Sequence, residues 1–297
     1  MKCDLCPRKC LVDRKKGEKG ICGQTENLKV ARAALHFWEE PCISGAAGSG
    51  TVFFTGCQLR CIYCQNQPIA HGSVGKEVTA DRLVEIFFEL QQKGANNINL
   101  VTPDHYIPQI VQAIWRAKER GLTLPFVYNT GSYVSVEALH MLDGLIDIYL
   151  PDFKYMSPGL SKKYSHAPDY AEVAKAAIAE MVRQTGKAVF VNGEEDNLIL
   201  SGTIVRHLTL PGCMADSMQI LKYLHETYGD MIYISIMNQF TPLSNLEKYP
   251  ELNRRITDEE YETLVDYAIE IGIENGFIQE GDTAEESFIP AFDCEGV

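Results

Sequence analysis

The chain has 297 residues, 45% hydrophobic and 23% charged, with a formal net charge of −13. That is globular composition, with enough mass for a sizeable core in one large domain or two smaller ones. An acidic chain with no basic block excludes a sequence-independent nucleic-acid binder. The start, "MKCDLCPRKC", has no apolar signal core, and no stretch approaches 18 continuous apolar residues. Neither a secretory signal nor a membrane span is therefore expected. Ten cysteines without a signal point to a reducing cytoplasm, where clustered thiols more often bind metal or do chemistry than form disulfides.

In chain order, residues 1–50 read as a Cys-rich extension closing on the loop "PCISGAAGSG". Its Cys3, Cys6, Cys10 and Cys22, spaced C-x2-C-x3-C-x11-C, supply four ligands. Such a set can close on itself around structural zinc or an auxiliary iron–sulfur cluster. From 51 to 297 short apolar runs alternate with amphipathic segments. Strands are expected at 51–55, 97–101, 125–128, 145–150, 202–210 and 231–237. Helices are expected at 79–94, 107–121, 135–144, 170–186, 215–229 and 257–272. Strand then helix, six times over, reads as α/β with a parallel sheet, either an open doubly wound sheet or a partial (βα)6 barrel. In both, chemistry gathers at the C-terminal ends of the strands.

"GCQLRCIYCQN" (56–66) follows the first expected strand and spaces Cys57, Cys61 and Cys64 as C-x3-C-x2-C. Three soft thiolates suit zinc, copper(I) or an iron–sulfur cluster. A [4Fe–4S] cluster takes four corner ligands, so three cysteines leave one iron for a non-protein ligand. The competing reading is a closed structural site with Cys42 or Cys213 as the fourth ligand, on a scaffold without catalysis. Gly56 reads as a point of close backbone approach or unusual φ/ψ.

C-x3-C-x-aromatic-C after the first strand of an α/β barrel resembles the motif of radical S-adenosylmethionine (SAM) enzymes. Within that superfamily, "CPRKC", "GTVFFTGCQLRCIYCQN", "NLVTPDHYIP", "DFKY" and "YAEVAKAAIAEM" are similar to the pyruvate formate-lyase-activating enzyme group, in its activating-enzyme-like branch. The resemblance covers nearly the whole chain. It implies a [4Fe–4S] cluster on Cys57, Cys61 and Cys64, with the open iron taking the amino and carboxylate groups of SAM. Reductive cleavage of the sulfonium would give methionine and a 5′-deoxyadenosyl radical that abstracts hydrogen from a substrate. It also implies a reduced flavodoxin or ferredoxin as electron donor. The substrate would be a protein or peptide, such as a glycyl-radical enzyme, or else a small molecule.

The resemblance places SAM contacts at successive strand tops. Tyr63 would lie near the adenine. At "VTPDHY" (101–106) relatives carry a Gly-Gly-Glu stretch that this chain lacks; Thr102 and Asp104 occupy its place, and Asp104 reads equally as the cap of the next helix. Asn129 in "YNTGSY" would face the ribose. The aspartate tied to a monovalent cation in some relatives is missing there. Asp152 and Lys154 match an Asp-x-Lys at the fourth strand end. Arg206 stands inside an apolar strand, so it needs a partner, either Asp152 or the SAM carboxylate. His207 points the other way by alternation. Asn238 and Gln239 fall where relatives contact adenine or carboxylate.

Overall fold

The computed structural model describes residues 2–191, 197–243, 246–279 and 290–297. Its strands are β1 (Leu28–His36), β2 (Ser49–Phe54), β3 (Lys76–Val78), β4 (Ile98–Val101), β5 (Phe126–Thr130), β6 (Ile148–Pro151), β7 (Val189–Phe190), β8 (Ile199–Leu208), β9 (Tyr233–Met237) and β10 (Gly276–Ile278). Its helices are α1 (Pro41–Ser44), α2 (Gln67–Ala70), α3 (Ala80–Gln92), α4 (Ile107–Glu119), α5 (Val136–His140), α6 (Pro158–Ser165), α7 (Tyr170–Thr185), α8 (Met214–Tyr228) and α9 (Asp258–Glu270).

The six expected strands are β2, β4, β5, β6, β8 and β9, side by side and parallel. The sheet runs β10-β9-β8-β6-β5-β4-β2-β1-β3 and does not close into a barrel. The six expected helices are α3, α4, α5, α7, α8 and α9. Thr79 caps α3 by accepting from the Arg82 N–H, and Thr257 and Glu260 form a reciprocal capping box on α9.

Four strands were not anticipated. β3 pairs antiparallel with β1. β10 adds a further parallel strand beside β9, and β7 pairs with β8. β1 runs antiparallel to β2, with His36 opposite Ser49 and Val30 opposite Phe54. The expected boundary at residue 50 therefore falls inside β2, and residues 28–36 are part of the sheet. β1 also fixes polarity: residues 37–45 lie at the N-terminal ends of the parallel strands, whereas the cysteine loop after β2 lies at the C-terminal ends.

Strand alternation sorts the side chains. Ile98, Leu100, Phe126 and Tyr128 turn outward to pack with Leu83, Phe87, Ile110 and Ile114 of α3 and α4. The inner face mixes polar side chains with apolar ones: Asn99 is level with Val127, and Asn129 with Leu150. Thr51 pairs with Asn99; farther along, Arg206 pairs with Ser235 and bridges to Asp152. Asn99, Asn129 and Ser235 are all buried.

Gly56, between β2 and Cys57, has φ +99°, and a Cβ there would stand 2.4 Å from Gln24 Cγ and 2.8 Å from the Cys22 carbonyl oxygen. Both reasons for glycine hold at once. Gly56→Ala is expected to destabilise the fold by about 2–4 kcal/mol from strain plus overpacking. Thermal unfolding within a degree or two of the parent would contradict this.

Candidate active site

Cys57, Cys61 and Cys64 line one cavity of about 670 Å³, together with Thr102, Asp104, Asn129, Asp152, Lys154, Arg206 and Gln239. Residues drawn from six parts of the sequence thus share one space. Asn238 does not line it; its backbone N–H donates to Gln279 at 2.9 Å.

The loop is held from two sides. On one, Ser165 Oγ donates to Cys61 Sγ at 2.9 Å. The Tyr155 hydroxyl lies 2.8 Å from Ser165 Oγ and donates to Tyr63 Oη at 2.6 Å. The Tyr63 ring packs edge-on against Tyr155, Tyr164 and Phe240. Tyr63 is therefore a buried support beneath the loop as well as part of the cavity wall. On the other side, Gln58 Nε2 donates to Asp104 Oδ2 at 2.8 Å.

The backbone amides of Leu59 and Arg60 favour the Cys57 thiolate, and that of Asn66 favours the Cys64 thiolate. Burial, reinforced by the neighbouring thiolates, pushes the Cys57 thiol up to about 11 and Cys64 to about 12. Among the described residues, no three Cys, His, Asp or Glu side chains stand close enough to hold one metal ion as they are. Three soft donors backed by amide N–H groups, on the wall of a polar cavity, fit an iron–sulfur cluster.

Asp104 corrects one expectation. It does not cap the helix, because a single turn of 3-10 helix (Asp104–Tyr106) intervenes and α4 starts at Ile107. Its carboxylate accepts from Gln58, from Tyr128 Oη at 3.0 Å and from Thr130 Oγ1 at 2.6 Å. Thr102 adopts φ +56°, and its amide donates to the Asn129 carbonyl.

Opposite the cysteines lies a buried charge network. Arg206 Nε donates to Asp152 Oδ1 (2.9 Å), Nη1 to Glu39 Oε2 (2.9 Å) and Nη2 to Asn129 Oδ1 (2.7 Å). Lys154 Nζ donates to Asp152 Oδ2 at 2.6 Å. Burial pushes the Asp152 carboxyl up, but the Arg206 and Lys154 charges outweigh it and the net direction is down. Tyr170 pins the same strand end, donating to the Asp152 carbonyl and accepting from the Lys154 amide. His207 does face outward, its ring nitrogens 2.8 Å from the Phe153 carbonyl and from Ser217 Oγ of α8.

Glu39 and Glu40 are the residues the sequence reading missed. Glu39 Oε1 accepts from Asn99 and Asn129. Glu40 is buried, burial raises its pKa, and its Oε2 has no hydrogen-bond partner among the described residues. The available signal was "EEP": two adjacent acids directly after an apolar strand. Cys42, the rival ligand, packs away from the cavity against Ile43, Val127, Ile148 and Leu150.

A model of the radical SAM superfamily matches residues 51–199. The chain belongs to the radical SAM superfamily. This superfamily uses a [4Fe–4S] cluster and SAM, and its enzymes take electrons from flavodoxin or ferredoxin. The chain is similar to uncharacterized protein MJ0674 of Methanocaldococcus jannaschii, with 26% identity over 276 residues, covering 90% of this chain and 74% of that one. In fold it is similar to Streptococcus suis SuiB bound to SAM (TM-score 0.52, 12% identity, 76% of this chain and 48% of that). It is likewise similar to HydG, a maturase of the [FeFe]-hydrogenase (TM-score 0.52, 15% identity, 78% and 52%). The chain spans about half the length of these two structures, and at such identity the likeness is one of fold. No helix among the described residues is long and apolar enough to cross a membrane.

Two expected outcomes follow from the site's electrostatics. Arg206→Ala leaves Asp152 and Glu39 buried against too little positive charge, and should cost about 3–5 kcal/mol in denaturant unfolding; a loss under about 1 kcal/mol would sink the network account. Burial holds His207 neutral, its pKa pushed down to about 4. Unfolded histidine takes a proton below about pH 6.5. The native chain therefore binds fewer protons, and stability falls as pH drops from 6 to 5. His207→Gln should flatten that slope by about 1.4 kcal/mol per pH unit, read from unfolding curves at each pH.

Proposed function

We propose that this chain is a radical SAM enzyme of the pyruvate formate-lyase-activating enzyme-like branch, acting on a C–H bond of a protein or peptide, with a glycyl-radical enzyme as the leading target. Cys57, Cys61 and Cys64 would hold the [4Fe–4S] cluster. When bound there and reduced by flavodoxin or ferredoxin, the cluster supplies the electron that cleaves SAM for hydrogen abstraction.

The chain's own residues then have separable tasks. Among the described residues Lys154 Nζ donates to one acceptor, Asp152, which leaves N–H donors for the SAM carboxylate. Arg206 has an acceptor at each of its three nitrogens, and its task is to hold Asp152 and Asn129 in place. Asn129, Thr102 and Gln239 present polar atoms along the cavity wall for ribose and adenine. Asp104 acts through Gln58 on the cysteine loop.

What supports this substrate class is the apolar part of the cavity's lining. Phe37 and Trp38, just past β1, and Phe277 and Ile278 of β10 all line the cavity. Phe37 and Trp38 lie at the N-terminal ends of the parallel strands, and Ile278 pairs with Ile236 of β9. Phe37, Trp38 and Ile278 are 49%, 60% and 49% exposed. Exposed apolar side chains on the wall of a polar cavity fit a macromolecular substrate better than a small polar metabolite.

Anaerobic reconstitution, reduction and addition of SAM should yield 5′-deoxyadenosine. Cys61→Ala should abolish it, Cys42→Ala should leave it unchanged, and Lys154→Met should weaken SAM binding about tenfold or more. Turnover that survives Cys61→Ala would defeat the radical reading. A glycyl-radical EPR doublet in a co-encoded partner protein supports the activase assignment; turnover of small molecules with no protein radical refutes it.

A further inference from the structure

The N-terminal cysteines play no part in the chemistry above. Cys3, Cys6, Cys10 and Cys22 line one small cavity of about 20 Å³ together with Gln58 and His105. The Cys10 sulfur accepts a backbone N–H bond from Ile21 (3.3 Å). Lys9 and Leu11, on either side of Cys10, take φ +40° and +53°, strained values that persist only where the surroundings impose them. Amide donors that orient sulfur are the outer support of thiolate metal sites.

A second observation comes from Arg14. It is 7% exposed, stacks over the Tyr106 ring, and donates only to the carbonyls of Thr25 and His105. Among the described residues no carboxylate pairs with it. A buried guanidinium calls for a counter-charge. Four thiolates around a divalent ion or a cubane cluster carry a net charge of about −2, and Arg14 already acts electrostatically on Cys22.

We propose that Cys3, Cys6, Cys10 and Cys22 form a second, closed four-thiolate metal centre, zinc or an iron–sulfur cluster, that fixes the loop carrying Cys57, Cys61 and Cys64. The four sulfurs do not stand at single-ion distance as they are, so metal capture draws them in and orders the extension. The contacts that transmit this order are direct. Arg8, between Cys6 and Cys10, donates to the carbonyls of Gln58 (3.1 Å), Ser165 (3.0 Å) and His166 (2.5 Å). Gln58 belongs to the loop, and Ser165 donates to Cys61. The Cys22 carbonyl packs on Gly56, and a Cβ on Gly23 would meet Arg60 of the loop at 2.8 Å.

The metal centre itself is independent of the radical SAM reading; only its effect on the loop rests on it. The test is metal and sulfide analysis of the anaerobically purified full chain, in the parent and in the triple variant Cys57→Ala/Cys61→Ala/Cys64→Ala. The triple variant should retain either about one zinc or about four irons with sulfide, and either result supports the centre while naming the metal. Adding Cys6→Ala and Cys10→Ala should empty it. Should that variant fail to fold, Cys10→Ser alone in the triple background should lose metal to a chelator at least tenfold faster. A triple variant free of both metals, or metal retained unchanged without Cys6 and Cys10, overturns the centre. Arg8→Ala in the otherwise native chain should keep the N-terminal metal and shift the EPR g-values of the reduced cluster at Cys57, Cys61 and Cys64. An unshifted spectrum overturns the link to the loop. A native chain that makes no 5′-deoxyadenosine while the triple variant holds its metal would refute the function and leave this centre standing.

Discussion

The interior of this protein is organised around one buried positive charge. Arg206 sits in β8, where an α/β sheet normally buries apolar side chains on both faces. A guanidinium there is tolerable only if every donor direction meets an acceptor and the charges balance. Asp152, Asn129 and Glu39 meet its three nitrogens. Lys154 balances the second carboxylate, so two acids face two bases. The requirement spreads sideways. Asn99 holds Glu39, and Ser235 stands beside Arg206 in register. The inner face consequently carries polar side chains among its apolar ones, and Asn129, Asp152, Arg206 and Ser235 line the cavity.

Loop and network meet through the strand ends. Lys154 is ion-paired to Asp152 and also feels the charge of Cys61. The segment from β6 to α7 supplies Asp152, Lys154, Tyr155, Ser165 and Tyr170. It thus anchors the network at one end and Cys61 at the other. Asp104 does the equivalent from the β4 side, linking Gln58 to Tyr128 and Thr130. A carboxylate with three internal donors braces these strand ends, and Asp104 does so without capping α4.

Much of this was legible in the sequence because period and punctuation agree over long stretches. The parallel strands are apolar runs, the helices carry caps at Thr79 and Thr257, and the cysteine spacing is local. Arg206 announced itself as a charge in an apolar strand, and Asp152 was identifiable as its partner two strands' worth of sequence earlier. Glu39 was not, since it lies 167 residues from Arg206 and reaches it only because β1 folds back antiparallel. β1 itself, hidden behind a cysteine-rich stretch, carries no parallel-unit pattern. β10 has three residues, too few for any period to show. Tyr63 was placed by analogy near a cofactor; its further contacts with Tyr155, Tyr164 and Phe240 come from distant segments that local sequence does not display.

The donor count of the cysteine loop follows from the same topology. Cys42 lies in α1, after the end of β1 that pairs with the start of β2; Cys57 follows the other end of β2. Six strand residues separate those levels by roughly 20 Å, and Cys42 is fixed at its own level by an apolar cluster with Val127, Ile148 and Leu150. Cys213 lies nearer the strand tops, but it precedes α8 beside Asp216 and Glu251. It is not among the residues that line the cavity with Cys57, Cys61 and Cys64. The antiparallel return of β1 therefore does two things at once. It delivers Glu39 to Arg206 from below, and it keeps Cys42 out of reach of the loop above. The polar network and the three-thiolate loop share one topological cause.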